Sequence, residues 1–187
     1  IAANNSSKTA LTWGKYLFPM SQYYNIWDTG INTVLFRYAE VLLCYAEAEN
    51  ELNGPSDDVY DKLNLIRNRV GMPHVDVAKY NTQDKLRELI RRERSIEMAG
   101  EGLRRADILR WRDAAGKMLA ETLLNGDLLR PMGTIDYAEA NPYKRAVVNP
   151  NRKVLIEPRS FAPYNRYLPI PQKYRDLNDK LEQNEGY

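Results

Sequence analysis

With 187 residues, the chain is long enough to bury roughly 70% of the surface it would expose unfolded, the size of one ordinary domain. Charged residues make up 28% and the formal net charge is +2, so bulk charge argues for neither a nucleic-acid partner nor an acidic membrane surface. The single cysteine, Cys44, excludes an internal disulfide, and no run reaches the ~18 consecutive apolar residues of a membrane span.

The opening "IAANNSSKTALTWGKYLF" has no basic n-region, no continuous apolar h-region and no initiator Met. It reads as a processed chain or a piece of a longer protein, with any targeting signal upstream. Residues 1 to 32 are expected to form an aromatic-rich leading segment, loop-like and punctuated by Pro19 and Gly30. Trp13, Tyr16, Tyr23, Tyr24 and Trp27 crowd together there beside Gln22, Asn25 and Asp28. Rings with polar edges suit a hydroxyl-rich ligand, because sugar C–H groups stack on the face while hydroxyls bond at the rim. The same rings could equally wedge a loop onto a helical core.

Residues 33 to 124 read as helical. A helix over 33 to 52 carries two apolar rows, one of Leu35, Ala39, Leu42 and Ala46, the other of Val34, Tyr38, Val41, Tyr45, Ala48 and Leu52. A helix apolar on two sides is pressed between neighbours. Gly54 stops it, Pro55 follows, and Ser56 caps a second helix over 57 to 70 with Val59, Leu63, Ile66 and Val70 on one face. Two helices joined by a short turn match one tetratricopeptide-like unit in length. That second helix covers only one of the two rows, so the other should lack a partner in this chain. A third helix is expected from Thr82, its cap, to Ala99, and a fourth from Leu103 to Leu124.

The stretch 85 to 112 holds nine Lys/Arg against five Asp/Glu. Glu93 and Glu97 fall on the face of Leu86, Leu89, Ile90 and Ile96, and carboxylates turned inward need cationic partners. Arg67, Arg69, Arg104 and Arg105 are the candidates for a structural ion network. A Glu93/Glu97 pair for acid/base catalysis would instead require an open cleft and a raised pKa. One histidine and one cysteine leave no metal set, and no phosphate loop or nucleophile elbow can be assembled. No enzyme, no metal and no cofactor are expected.

Residues 125 to 187 read as a loop-rich C-terminal segment with one short strand at "KVLIE", 153 to 157, and at most a short hairpin. Pro169 and Pro171 forbid a central helix or strand near the end, which should lie extended across the helices. The fold class is mainly α, tetratricopeptide-like helical pairs in an α-α superhelix with long irregular C-terminal loops, the whole forming one domain.

Three segments in order resemble the C-terminal part of the SusD/RagB family, surface glycan-binding lipoproteins of Gram-negative bacteria. They are "FRYAEVLLCYAEAENELNG" with "LNLIRNRVGMP", then "LRELIRRERSIEMAGEGLRRADILRW", then "YLPIPQKYRDLNDKLEQNEGY". Departures are Glu185 where the family has proline before Gly186, Ala99 where an aromatic commonly precedes E-G, and Arg175 or Asp176 near the acid after P-I-P. The resemblance implies a cell-surface outer-membrane lipoprotein, anchored by a lipid on a cysteine upstream of this chain. It implies an oligosaccharide ligand delivered uncut to a SusC-like TonB-dependent transporter, with further helical repeats upstream covering the spare apolar row. A tetratricopeptide-like scaffold binding a protein or peptide, without glycan, is the alternative reading.

Overall fold

A computed structural model describes residues 15–16, 32, 34–141 and 144–187. The elements in chain order are α1 (Tyr38–Asn53), α2 (Asp57–Arg69), α3 (Gln83–Glu97), α4 (Arg104–Arg110), α5 (Leu119–Leu123), β1 (Gly126–Ile135), β2 (Ala146–Arg159) and the one-turn α6 (Gln172–Arg175). Among the described residues the chain is thus helix-rich with one small two-stranded sheet. It divides into two compact units, Lys15–Arg105 and Ala106–Tyr187.

In the first unit α1 packs against both α2 and α3. Ser56 and Thr82 cap α2 and α3 as their sequence positions require, each side-chain oxygen accepting from the backbone three residues on, at 3.4 Å. The core joins Leu42, Leu43 and Ala46 of α1, Val59, Tyr60, Leu63 and Ile66 of α2, and Leu86, Leu89 and Ile90 of α3. One polar clamp closes it. Asn50, fully buried, donates to the Gln83 carbonyl at 3.1 Å, and the Gln83 amide donates back to the Asn50 carbonyl at 2.8 Å.

The helix expected over 33 to 52 begins only at Tyr38, because Arg37 is extended at φ −129°. The row of Val34, Tyr38, Val41, Tyr45 and Leu52 is exposed along α1, with Tyr38 at 70% and Leu52 at 79%. Cys44 also faces outward.

In the second unit the single helix expected over 103 to 124 is two helices, with a tight loop between them. Asp113 causes the break: its carboxylate accepts from the Ala115 and Lys117 amides at 2.8 and 2.9 Å, and Gly116 turns the chain at φ +77°. A side chain that bonds nearby backbone N–H groups competes with helix there. Ile108, Met118, Ala120 and Phe161 form this unit's core. Asn125 fastens it, donating to the Phe161 carbonyl at 2.9 Å and accepting from its amide at 2.7 Å.

The hairpin is longer than the short strand at 153 to 157. β1 and β2 pair antiparallel from Gly126↔Arg159 to Ile135↔Ala146, with irregularities after Leu128 and after Pro131. Pro131, Gly133, Pro150 and Pro158 read as strand breakers, but a two-stranded ribbon has an open edge on each strand, where a missing donor costs no ladder bond.

Residues 167 to 187 do not run simply extended. Gln183 accepts from the Ile170 amide at 2.8 Å and donates to its carbonyl at 3.1 Å, folding the tail back on the P-I-P segment. Tyr187 donates to the Tyr167 carbonyl at 2.8 Å, and its ring meets Tyr164 edge-on at 5.2 Å. Gly186 sits at φ +94°, and a Cβ there would come within 2.4 Å of the Tyr164 ring. Gly186→Ala is therefore expected to cost about 1–2 kcal/mol through strain and a ring clash. Limited proteolysis should then release the C-terminal residues several-fold faster; an unchanged cleavage rate would contradict the lock.

Candidate functional site

The aromatic segment is the sequence's foremost candidate for ligand contact. Trp13, Tyr23, Tyr24 and Trp27 lie outside the described residues. Tyr16 is described, and with Lys15 it is tied to the far end of α3.

That junction is built from the helix terminus upward. The last carbonyls of a helix have no partner within it and carry partial negative charge, so cations settle on them. Lys15 Nζ donates to the Glu97 carbonyl at 2.7 Å and the Ala99 carbonyl at 3.3 Å, and Arg37 Nη2 donates to the Glu97 carbonyl at 2.9 Å. Gly100 and Gly102, both at φ +80°, turn the following backbone sharply and place Glu101 between them. Arg37 donates to Glu101 through Nε at 3.1 and 3.0 Å and through Nη2 at 2.7 Å. Lys15 forms an ion pair with the same carboxylate, and the Tyr16 phenol also bonds to it.

Burial pushes the Glu101 carboxyl up, but hydrogen bonds from Arg37, Lys15 and Tyr16 outweigh it and hold the group at about 2. The Arg37 guanidinium is raised in turn, chiefly by its bond to Glu101. Tyr16 itself sits at φ +59°, a left-handed conformation uncommon for a non-glycine residue. The arrangement anchors the chain at residues 15 and 16. A carboxylate fixed by three donors and lowered to about 2 stays ionised at neutral pH, so it has no proton to give and is a weak base.

The ion-network candidates fall nearby. Arg67 pairs with Glu93 and also donates to the Pro73 carbonyl at 2.6 Å. Glu93 and Arg67 side chains are each 13% exposed. Arg69 Nη2 donates to both Glu97 oxygens at 2.8 Å, and Arg37 Nη1 donates to one of them at 2.8 Å. Arg104 reaches the Ser95 hydroxyl, and Arg105 is exposed. With Glu93 and Glu97 each held by arginine, no free carboxylate pair is presented. Among the described residues no group of three or more His, Cys, Asp and Glu could hold a metal ion.

Sequence reading missed Lys15, Arg37 and Glu101, whose partners are far apart in the chain. It also missed Arg94, the buried charge of α3, at 5% exposure. Arg94 contacts Cys44 Sγ at 3.3 Å and Glu40 at 3.8 Å. A signal was available, since Arg94 continues the row Leu86–Ile90 at spacing four.

A helix-rich chain with a small hairpin, a double-glycine bend and a self-locking tail defines the class, and comparison with known proteins places it. The chain belongs to the SusD family (SusD_RagB), matching over residues 2–187. It is 32% identical over 161 residues to SusD-like protein P25 of Formosa agariphila, covering 83% of this chain and 25% of that one. It is 38% identical over 93 residues to SusD-like protein P38 of the same organism, covering 46% of this chain and 18% of that one. The crystal structure of a SusD-like protein from Bacteroides fragilis superposes with a TM-score of 0.57 at 28% identity, covering 81% of this chain and 25% of that one. The chain thus spans about a quarter or less of the length of these relatives.

Proposed function

We propose that the protein containing this chain binds oligosaccharide at the cell surface and delivers it uncut to a SusC-like TonB-dependent outer-membrane transporter. Membership of the SusD family carries this reading. The protein is a lipoprotein of the outer membrane, held by a lipid anchor rather than by a helical span; among the described residues no helix is long and apolar enough to cross a membrane. It is a binding protein and not an enzyme. The α1–α2 pair is its last tetratricopeptide-like unit, within a 33–124 helical part that is followed by the loop-rich 125–187 segment.

The aromatic segment contributes sugar contacts through Trp13, Tyr16, Tyr23, Tyr24 and Trp27, while Glu93, Glu97, Arg67, Arg69, Arg104 and Arg105 are structural. The Lys15–Glu101 anchor supports this assignment because it holds one end of the aromatic segment on a rigid helix terminus. Affinity electrophoresis of the complete protein through gels loaded with soluble polysaccharides tests the reading. Retardation by at least one glycan is expected, and none across a broad panel would overturn it. Trp27→Ala is expected to weaken the retained glycan roughly fivefold to tenfold, a stacking ring contributing about 1 kcal/mol beyond its burial. Its melting temperature should stay nearly unchanged. Lost stability with intact affinity would make these rings wedges. The exposed, mainly apolar groove lined by Phe36, just before α1, and by Glu40, Val41, Cys44 and Tyr45 of α1 favours one second reading, a scaffold that binds protein; complete protein that captures no glycan would direct attention there.

A further inference from the structure

A groove of about 370 Å³ opens between the loop that follows α2 and the outer face of α3. Lys15, Tyr16, Arg37 and Glu101 are not among its lining residues. Three cationic side chains line it, Arg67, Lys79 and Arg92, against two carboxylates, Asp76 and Glu93, with His74 at its edge.

The two carboxylates are already engaged. Glu93 is held by Arg67, and Asp76 Oδ1 accepts from the Lys79 amide at 3.2 Å. His74 Nε2 is 2.9 Å from Asn68 Oδ1. Lys79 and Arg92 differ from the other cations. Neither has a carboxylate partner among the described residues, and both converge on one neutral group, the Tyr80 phenol. Arg92 Nη2 donates to its oxygen at 2.7 Å, and Lys79 Nζ stands 5.3 Å from its ring centre. Tyr60 donates to the Tyr80 carbonyl at 2.8 Å, fixing the backbone from which the phenol extends.

The effect of this convergence is visible on Tyr80, whose pKa is lowered, first by the Arg92 hydrogen bond. The lining carries three cations against two carboxylates, and Lys79 and Arg92 form an ion pair with neither, which leaves an excess of positive charge that favours an incoming oxyanion. Arginine supplies paired donors, lysine a point charge, and the tyrosine face a flat surface for a ring.

We propose that this groove binds an oxyanion carried on a sugar, the carboxylate of a uronic acid or the sulfate ester of a sulfated residue, with Arg92 and Lys79 on the anion and Tyr80 against the ring. The inference rests on the glycan-binding reading for its ligand class and makes acidic glycans the favoured cargo. The anion is exposed to solvent at the groove mouth, so its binding should weaken as salt rises.

Calorimetric titration of the complete protein with glucuronate, glucose 6-sulfate, glucose and inorganic sulfate separates the outcomes. One or both acidic sugars are expected to bind at least tenfold more tightly than glucose. K79Q/R92Q should lose that preference by roughly tenfold or more, while the charge-conserving K79R/R92K retains most of it. Both residues are exposed, so the melting temperature should not move and a folding defect is not expected to obscure the result. Equal binding of charged and neutral sugars, or an acidic preference that survives K79Q/R92Q, overturns the proposal. Inorganic sulfate binding as tightly as glucose 6-sulfate overturns the sugar assignment, leaving a site for free oxyanions. Retention of the protein on neutral polysaccharide together with no acidic preference would sink this groove while the glycan-binding reading stands.

Discussion

Leu43→Ala is expected to destabilise the helical unit by about 3 kcal/mol, whereas Leu52→Ala, further along the same helix, should change stability by less than about 0.5 kcal/mol. Leu43 is fully buried among α2 and α3 side chains, and Leu52 is 79% exposed. Removing buried methyl groups forfeits transfer free energy and leaves a cavity that close packing cannot fill. Removing exposed ones forfeits almost nothing. The contrast tests whether the exposed apolar row that contains Leu52 contributes to the stability of this chain, against the buried Leu43 of the same helix. Urea unfolding followed by circular dichroism reads it directly: the Leu43→Ala midpoint should fall strongly with little change in slope, and the Leu52→Ala midpoint should stay put. Equal shifts would mean that the outer row is covered when the chain is in solution.

Much of the helical half was legible because its determinants are local. Ser56 and Thr82 announce helix starts by chemistry that acts over three residues, and Gly54 a stop by a backbone angle. Period alone picked out the exposed row of α1, but it left the fully buried Leu43 in neither row and placed the 89% exposed Leu35 in the covered one. Where determinants act at a distance, the reading stopped. Glu93 and Glu97 were recognisable as carboxylates in need of arginine, and Arg67 and Arg69 as donors, but nothing in spacing joins Arg37 or Lys15 to Glu101. Asp113 ended a helix by bonding its own neighbours, a contest between side chain and backbone that apolar periodicity does not register. β1 was hidden for a different reason. Its Pro131 and Gly133 suppress a strand reading, and only the partner strand across the hairpin makes those residues tolerable. Of the aromatic contacts named from composition, Tyr16 alone falls among the described residues, and it is held by a carboxylate that composition could not single out.

That carboxylate carries the other large effect. Glu101→Gln is expected to cost on the order of 2–3 kcal/mol at neutral pH, because it removes the charge on which Arg37 and Lys15 converge while leaving both cations in place. The Glu101 side chain is only 9% exposed, so water replaces little of what is lost. The pH dependence follows from the direction of the shift. The folded-state value of about 2 lies below the ordinary 4.5, so the unfolded chain takes up the proton first. The stabilisation is complete above about pH 4.5 and drains away as pH falls toward 2. Other carboxylates titrate in the same window, so the wild-type curve alone cannot isolate this one. The difference between wild type and Glu101→Gln can: the gap in unfolding free energy, measured by urea titration from pH 7 down to pH 3, should be widest at the top and narrow steadily below about pH 4.5. A gap that stays constant across that range would show that Glu101 is not the titrating group, and no gap at all would show that Arg37 is held by Glu97 alone and that the bend between Gly100 and Gly102 keeps its shape without a charge at its centre.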